Sequence, residues 1–425
     1  MPQVQTGVRH VLQRGDFRRL LGTRLLSQFG DGVFQAALAG TVLFNPQRAA
    51  EPLDIAAGFA VLLLPYSLVG PFAGVWLDRW SRRQVLLRAN LVRAGLVAVV
   101  AALVLGGVEG ATFYAAGLAV FSVNRFVLSA LSAGLPHTTD EPSLVAANAL
   151  STTAGGVATV VGGAAAILAL EATGAADPGY AAMALASAVP YLAASVVVSG
   201  FPRPYLGPDH MVAVHRSARE TARDTVMGMV AGARHVAALP PAAAALLAIG
   251  LHRLCYGIFT LTTLLLYRNT FADGGGLFPG GILGLGQVVA AAAVGTLLAA
   301  VVTPPVVRAI GTRRWVPALL VFGAVAQVVL GLRFSTVAVV VVGVLLGFVA
   351  QGVKICVDST LQETVEDDYR GRVFSVYDTL FNLTFVLALL IGALVLPESG
   401  ISSLVPVVVA VGYLLAAVGF ARLAR

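Results

Sequence analysis

Twelve mainly apolar stretches, each long enough to cross a bilayer, constrain the fold of this chain more than any other feature. A helix needs about 20 such residues to span the hydrocarbon core. Lipid offers a backbone no hydrogen-bond partners, so stretches of this length cross it as helices. They centre on Phe34, Leu64, Val97, Ala119, Val160, Ala188, Ile258, Ala291, Val325, Leu345, Leu387 and Val411. The sequence therefore predicts an all-α integral membrane protein.

The composition supports this prediction and excludes a soluble domain. Hydrophobic residues make up 58% of the chain and charged residues 12%, whereas soluble domains carry about 25% charged residues. The mean hydropathy is +0.86. The 46 glycines fit helices that associate in lipid through small residues. The two cysteines lie in apolar runs, and we predict no disulfide, metal site or cofactor.

The twelve helices divide into two halves around one long polar segment. Residues 1–200 hold six apolar runs, residues 201–240 form a central loop with an amphipathic stretch, and residues 241–425 hold six more. Paired six-helix halves are typical of secondary transporters. We expect twelve transmembrane helices in two six-helix halves.

The arginine distribution predicts the orientation. If the N-terminus is cytoplasmic, nineteen of the 28 Lys and Arg residues fall in inner segments and only three in outer ones. Basic residues collect on the cytoplasmic side of membrane proteins. We therefore expect both termini in the cytoplasm and the chain in the plasma membrane (the inner membrane of the cell). The net charge of +7 comes from these flanking arginines, so we predict no nucleic-acid partner.

The connection between helices two and three carries a fixed pattern of polar residues, Gly74, Asp78, Arg79, Arg82 and Arg83. A glycine lets two helix ends approach closely, and the aspartate and arginines can form an ion-pair latch. Plain positive-inside anchoring explains the arginines but not the glycine and the aspartate. The pattern resembles the signature loop of the major facilitator superfamily, G-x-x-x-D-R-x-G-R-R, with a serine at the second glycine. We call these five residues the cytoplasmic gate.

Arg88 and Arg93, on helix three, are expected to extend this gate. The second half has a weaker copy of the motif, which keeps Gly311, Arg313 and Arg314 but has an alanine at the aspartate position.

Three further segments resemble the enterobactin-exporter and macrolide-efflux-like branch of the superfamily. They are the segment around Asp31 in helix one, the one around Asn148 that opens helix five, and residues 362–375 before helix eleven. The resemblance implies the major facilitator fold and proton-coupled export. One departure is in helix five, where Ala158 and Thr159 stand in place of the Gly-Pro pair usual in exporters. Small residues still recur every fourth position there, as close packing requires.

Ionisable residues inside the membrane are costly and are therefore functional candidates. Nine charged residues fall within the predicted helices, and six of them lie on helices one, four, seven and ten. In the superfamily fold, these four helices line the substrate cavity. The six residues are Arg24, Asp31, Arg125, Arg253, Lys354 and Asp358.

Asp31 is the strongest candidate for proton coupling. It lies about 16 Å along helix one, counting 1.5 Å per residue from Leu20. A carboxylate at that depth can switch between its charged and neutral forms as its surroundings change. Arg125, on helix four, is the partner that we expect at a similar depth. Two alternatives stay open: a permanent Asp31–Arg125 pair that only docks two helices, and no contact between the two side chains.

Polar side chains on the same four helices are candidates for binding substrate. Each could instead bond a neighbouring helix, His252 could be a packing residue, and Lys354 could reach the interface beside Asp358. The candidates are Gln28, Gln35, Asn124, His252, Arg253, Tyr256, Gln351 and Lys354.

These features predict a monomeric secondary transporter whose partners are membrane lipid, protons and a small-molecule substrate. The leading hypothesis is proton-coupled export of an amphipathic drug, siderophore or metabolite. Nutrient uptake and lysolipid flipping are alternatives within the transporter class. No phosphate-binding loop for ATP is present in the sequence. A lipid-modifying membrane enzyme is a further alternative, but the central loop carries no cluster of catalytic residues.

Overall fold

The computed structural model describes residues 8–43, 52–68, 80–140, 143–173, 176–207, 218–271 and 277–424. Within these ranges the secondary structure is helical, and no β-strand occurs. A short helix, Val8–Gln13, precedes the first long one. The fold of the described chain is therefore all-α, as predicted.

The first half contains helices one to six. Their bounds are Gly15–Leu43, Pro52–Leu68, Arg82–Leu105, Ala111–Gly134, Leu144–Thr173, and a sixth helix of two segments, Asp177–Ala186 and Ala188–Ser199. The amphipathic stretch of the central loop forms a helix over Ala218–Ala237.

The second half contains helices seven to twelve. Their bounds are Pro240–Leu265, Gly281–Ile310, Thr312–Val329, Thr336–Thr364, Asp367–Val395 and Leu404–Leu423. A single π-helical turn, Leu266–Thr270, extends helix seven.

Ten segments of the described chain are long and apolar enough to cross a membrane. They correspond to helices three to twelve. Helix one has 29 residues but carries several charged side chains, and helix two is an apolar helix of 17 residues. Together these elements agree with the predicted twelve transmembrane helices.

Local sequence signals set several of the helix ends. Helix seven starts at Pro240, where the missing N–H of proline does no harm. Helix eight ends at Gly311, whose φ of 78° is accessible to glycine at little cost. The side chain of Ser335 caps helix ten by accepting a hydrogen bond from the Ala338 amide at 3.3 Å.

The chain forms two compact units. The first comprises Met1–Ala49 and Leu64–Ala222, and the second comprises Ala50–Leu63 and Arg223–Arg425. The predicted division at residues 200 and 240 stays a prediction, and each unit is described separately below.

In the first unit, helices one and five touch through their backbones. A Cβ atom on Gly32 would lie 1.9 Å from the carbonyl oxygen of Thr159, and one on Gly162 would lie 2.2 Å from that of Phe29. Only glycine fits at either place, because real Cβ atoms do not come so close to a backbone oxygen. Close approach through small residues is how helices gain packing energy in lipid.

The second unit uses the same device between helices eight and ten. A Cβ atom on Gly295 would lie 1.9 Å from the carbonyl oxygen of Val344, and one on Gly347 would lie 2.2 Å from that of Ala292. Among the described residues, helices one and five of the first unit and helices eight and ten of the second are therefore held together by reciprocal glycine contacts.

We predict that Gly32→Val lowers the apparent melting temperature of the purified protein, because the larger side chain forces helices one and five apart. Overpacking of this kind costs about 1–3 kcal/mol. Gly95→Val is the matched control, since no atom lies within 4 Å of the Cβ position at Gly95. Equal melting temperatures for the two variants would contradict the packing described here.

Candidate functional site

Asp31, in the middle of helix one, lies in a buried polar cluster of the first unit. Asp31 is 3% exposed, and Arg93 and Tyr191 are fully buried. The guanidinium of Arg93 forms an ion pair with the Asp31 carboxylate. The hydroxyl of Tyr191 donates a hydrogen bond to the same carboxylate oxygen at 3.0 Å. This oxygen is therefore held by one charged and one neutral donor.

A second set of contacts fixes the guanidinium of Arg93. Its Nη1 donates to the Ser27 hydroxyl at 2.9 Å and to the side-chain oxygen of Asn90 at 3.3 Å. The Ser27 hydroxyl in turn donates to Asn90 at 3.1 Å. The Tyr191 ring lies against the guanidinium face, with its centroid 3.7 Å from Cζ. Buried charges need hydrogen bonds of this kind as well as a counter-ion.

Helical spacing brings these side chains together. Ser27 and Asp31 are four residues apart on helix one, and Asn90 and Arg93 are three apart on helix three, so each pair lies on one face. Tyr191 comes from helix six, and its ring fits because residue 30 is glycine: a Cβ atom there would lie 2.6 Å from the ring.

Helix four adds Asn124 to this cluster. Asn124 is 2% exposed, and its side chain interacts with the carboxylate of Asp31. It thus neighbours the candidate coupling carboxylate, and its expected role in the substrate cavity stays a prediction. We call Asp31, Arg93, Tyr191, Ser27, Asn90 and Asn124 the Asp31 cluster.

The sequence analysis expected Arg125 to pair with Asp31, whereas in the structure Arg93 forms this ion pair. The expectation that Arg93 extends the cytoplasmic gate was wrong, because its side chain is sealed inside the first unit. Arg88, expected to act with it, is exposed. Arg125 is partly buried on helix four, and its role in coupling stays a prediction.

Three residues of the cytoplasmic gate, Gly74, Asp78 and Arg79, lie outside the described residues. The other two bind backbone carbonyls. Arg82 Nη1 donates to the carbonyl oxygen of Ala133 at 2.8 Å and to that of Leu206 at 3.3 Å. Arg83 Nη2 donates to the carbonyl oxygen of Ser199 at 2.7 Å. These bonds tie the start of helix three to the ends of helices four and six.

The segment after helix six is anchored at this same end of the unit. The Arg82 amide donates to the carbonyl oxygen of Gly207 at 3.1 Å, and Gly207 has a φ of 80°. The Ser81 hydroxyl donates to the carbonyl oxygen of Arg203 at 2.9 Å. The first part of the predicted central loop is therefore attached to the gate arginines.

An ion pair ties the N-terminal residues to the connection between helices four and five. Arg14 Nη1 lies 3.0 Å from Asp140 Oδ1, and His10 Nε2 lies 3.8 Å from it. A backbone hydrogen bond, followed by the positive charge of Arg14, holds the pKa of Asp140 below its ordinary value.

In the second unit, Arg253 lies on helix seven against aromatic side chains of helix eleven. Its Nε donates to the carbonyl oxygen of Phe381 at 3.1 Å. Its Cζ lies 3.9 Å from the Phe381 ring centroid, 4.3 Å from that of Phe385 and 5.9 Å from that of Tyr256. The guanidinium thus packs on the rings of Phe381 and Phe385, while its Nε donates a hydrogen bond to the backbone of Phe381.

His252 is 1% exposed. Its ring centroid lies 5.8 Å from that of Tyr256 and 5.6 Å from that of Tyr413. Neither ring nitrogen has a hydrogen-bond partner among the described residues. Both nitrogens are therefore buried without a partner among the described residues, and the role of His252 in the substrate cavity stays a prediction.

Lys354 pairs with Asp358, one helical turn away, at 2.5 Å. Its Nζ lies 5.7 Å from the ring centroid of Tyr377. The other predicted cavity residues are partly buried, and the side-chain oxygen of Gln28 faces Gly155 on helix five. The structure thus contains the Asp31 cluster in the first unit and a group around Arg253 in the second. The roles of Gln35 and Gln351 in a substrate cavity stay predictions.

The fold and these groups define a polytopic helical membrane protein with ionisable side chains within its helices. The chain is 40% identical over 397 residues to uncharacterized MFS-type transporters of Mycobacterium tuberculosis and Mycobacterium bovis, covering 92% of this chain and 87% of each relative. This chain belongs to the major facilitator superfamily of membrane transporters. The sequence matches no protein-family model.

Solved structures show the same fold at low sequence identity. The nucleoside transporter NupG matches 96% of this chain and 99% of its own with a TM-score of 0.71 at 13% identity. The POT family transporter PepTSo matches 96% and 97% with a TM-score of 0.68 at 13% identity. The predicted superfamily and its helical fold are confirmed, and the chain is a transporter and not an enzyme.

We predict strong coupling between Asp31 and Arg93 in stability. Asp31→Asn and Arg93→Gln each leave one buried charge without its partner, which costs about 3–5 kcal/mol. The double variant Asp31→Asn/Arg93→Gln removes both charges and should lose less stability than the two single losses added together. Thermal unfolding of the four proteins in detergent measures this difference. Additive losses would show that the two side chains do not depend on each other.

We also predict that Arg82→Gln loosens the segment after helix six, because it removes the side-chain bonds to Ala133 and Leu206. Amide hydrogen exchange of residues 201–207 should become faster. Arg88→Gln is the matched control, since Arg88 is exposed on the same helix. If both variants exchange at the wild-type rate, Arg82 does not anchor this segment.

Proposed function

We propose that this protein is a proton-coupled exporter of the plasma membrane that moves a small amphipathic molecule by alternating access. Within the superfamily we place it in the enterobactin-exporter and macrolide-efflux-like branch, on the sequence segments that resemble it. The observation that carries the proposal is the buried Asp31–Arg93 ion pair in an established transporter fold.

The Asp31 cluster has the chemistry that proton coupling needs. While Asp31 is charged, it holds Arg93 and accepts the hydrogen bond of Tyr191. When a proton binds, the ion pair is lost, while Arg93 keeps its hydrogen bonds to Ser27 and Asn90 and its stacking on the Tyr191 ring. The stability of helix packing therefore depends on the charge of one carboxylate. Protonation can shift the balance between two conformations, because it favours the one that does not need this pair.

A purely structural ion pair is the alternative to coupling. Buried pairs are weak evidence for stability, since two apolar residues of similar size often serve as well. The full set of partners around Arg93 fits either role. What favours coupling is the place of Asp31 in the middle of helix one of a transporter, where an ionisable group is a functional candidate by default.

The remaining assignments follow from the sequence pattern. We propose both termini in the cytoplasm, a monomeric protein, and a cytoplasmic gate formed by Gly74, Asp78, Arg79, Arg82 and Arg83. The bonds of Arg82 and Arg83 to helix ends support this, because they let one loop hold several helices. We propose that Arg125 acts with Asp31 in proton coupling. We propose that substrate contacts come from Gln28, Gln35, Asn124, His252, Arg253, Tyr256, Gln351 and Lys354. Nutrient uptake differs from the proposed export in the direction of transport, and lysolipid flipping differs in the molecule transported. The experiment below separates these alternatives.

The test is transport by inside-out vesicles with a panel of amphipathic drugs, siderophores and lysolipids, with and without a proton gradient. We predict gradient-driven accumulation of at least one compound by the wild type. Asp31→Asn should abolish gradient-driven accumulation yet retain exchange of that compound down its own gradient. Asp224→Asn, an exposed position on the central helix, should transport normally.

Gradient-driven accumulation by Asp31→Asn at the wild-type rate would refute the coupling role of Asp31. Loss of both accumulation and exchange would point to structural damage, and the structural-pair alternative would then hold. Accumulation in right-side-out vesicles that is driven by an inward proton gradient, with none in inside-out vesicles, would show uptake in place of export.

A further inference from the structure

Arg253 carries a positive charge near the middle of helix seven, which spans Pro240–Leu265. Two other cations within the described helices have carboxylate partners: Arg93 binds Asp31, and Lys354 binds Asp358. Among the described residues, no carboxylate forms an ion pair with Arg253. A cation in the membrane interior without an anion is costly, and this cost calls for a partner from outside the chain.

The guanidinium is held in one orientation. The Nε bond to the carbonyl oxygen of Phe381 fixes one edge, and the rings of Phe381 and Phe385 cover a face at 3.9 and 4.3 Å. Stacking of this kind stabilises the cation through the negative face of each ring. The side chain is therefore placed before any ligand arrives.

The other edge of the guanidinium is free to bind. The two terminal nitrogens donate no hydrogen bond within the described residues, and they are not among the atoms sealed from solvent without a partner. Two parallel N–H groups on a planar fork match a carboxylate, sulfonate or phosphate group. A lysine at this position would offer only a point charge, without the stacking.

The surroundings of Arg253 favour an anion with an apolar body. Tyr256, Phe381 and Phe385 supply aromatic surface beside the charge. Lys354, whose Nζ lies 5.7 Å from the Tyr377 ring centroid, has its own carboxylate partner in Asp358, whereas Arg253 forms no ion pair with the described residues. A cationic drug would meet repulsion here, whereas an anionic one would gain a partner.

We propose that Arg253 is the binding site for an acidic group of the substrate, and that the transported molecules are amphipathic anions. This proposal rests on the proposed transport function and narrows its substrate class. Binding at Arg253 needs no proton gradient, so a binding measurement on the purified protein tests this proposal.

The experiment measures binding of three matched probes to the purified protein in lipid nanodiscs: 2-naphthoate, neutral 2-naphthamide and cationic 2-naphthylmethylammonium. We expect 2-naphthoate to bind about tenfold more tightly than the amide, from the strength of a charge-assisted bond, and the cation to bind more weakly than either. Arg253→Gln should reduce naphthoate binding to the level of the amide and leave amide binding unchanged. Arg253→Lys should keep part of the preference for the anion.

Arg333→Gln is the matched control, because Arg333 is exposed at the end of the short 3-10 helix Gly331–Arg333, between helices nine and ten. Amide binding by Arg253→Gln also reports that this variant is folded. Equal binding of 2-naphthoate and 2-naphthamide to the wild type, a preference for the cation, or no binding of any probe would overturn the proposal. So would unchanged naphthoate binding by Arg253→Gln.

The two proposals fail separately. If the anion preference is absent while Asp31→Asn still loses gradient-driven transport, proton coupling stands and only the substrate class is wrong.

Discussion

The ion pair between Asp31 and Arg93 is the interaction on which the first unit depends most. Two charges taken out of water cost several kcal/mol each, and their attraction offsets this only when further hydrogen bonds complete the site. Here Ser27, Asn90 and Tyr191 supply those bonds. Helices one, three and six are joined through one carboxylate, so a change in its charge acts on all three.

Close helix packing makes this pair possible. Gly30 leaves room for the Tyr191 ring, and Gly32 brings helix one against the backbone of helix five. The polar atoms are thereby shut away from lipid and water. The second unit contrasts with this arrangement, because Arg253 has aromatic and backbone partners but no carboxylate. Asp31 and Arg93 thus neutralise each other, whereas Arg253 has no counter-ion among the described residues.

The sequence predicts the helices well because span length is a local property of the chain. It also identifies Asp31, since a carboxylate inside an apolar run is conspicuous. The sequence does not identify the partner of Asp31. Arg93 and Arg125 lie on different helices, and the sequence does not show which of them packs nearer to helix one. Only the packing of helices one and three decides between them. One available signal is Asn90, a polar residue one turn before Arg93 on the same helix face. Tyr191 gives no such signal, as an aromatic residue in a membrane helix resembles ordinary packing.

The central claim, that Asp31 exchanges a proton during the transport cycle, can be measured without knowing the substrate. Infrared difference spectra of the purified protein in lipid, recorded as the pH is changed, report protonation of individual carboxyl groups. We predict a carboxylic acid band that appears on acidification in the wild type and in Asp140→Asn but is absent from Asp31→Asn. Identical difference spectra for the wild type and Asp31→Asn would show that Asp31 keeps one charge state, and the pair would then be structural.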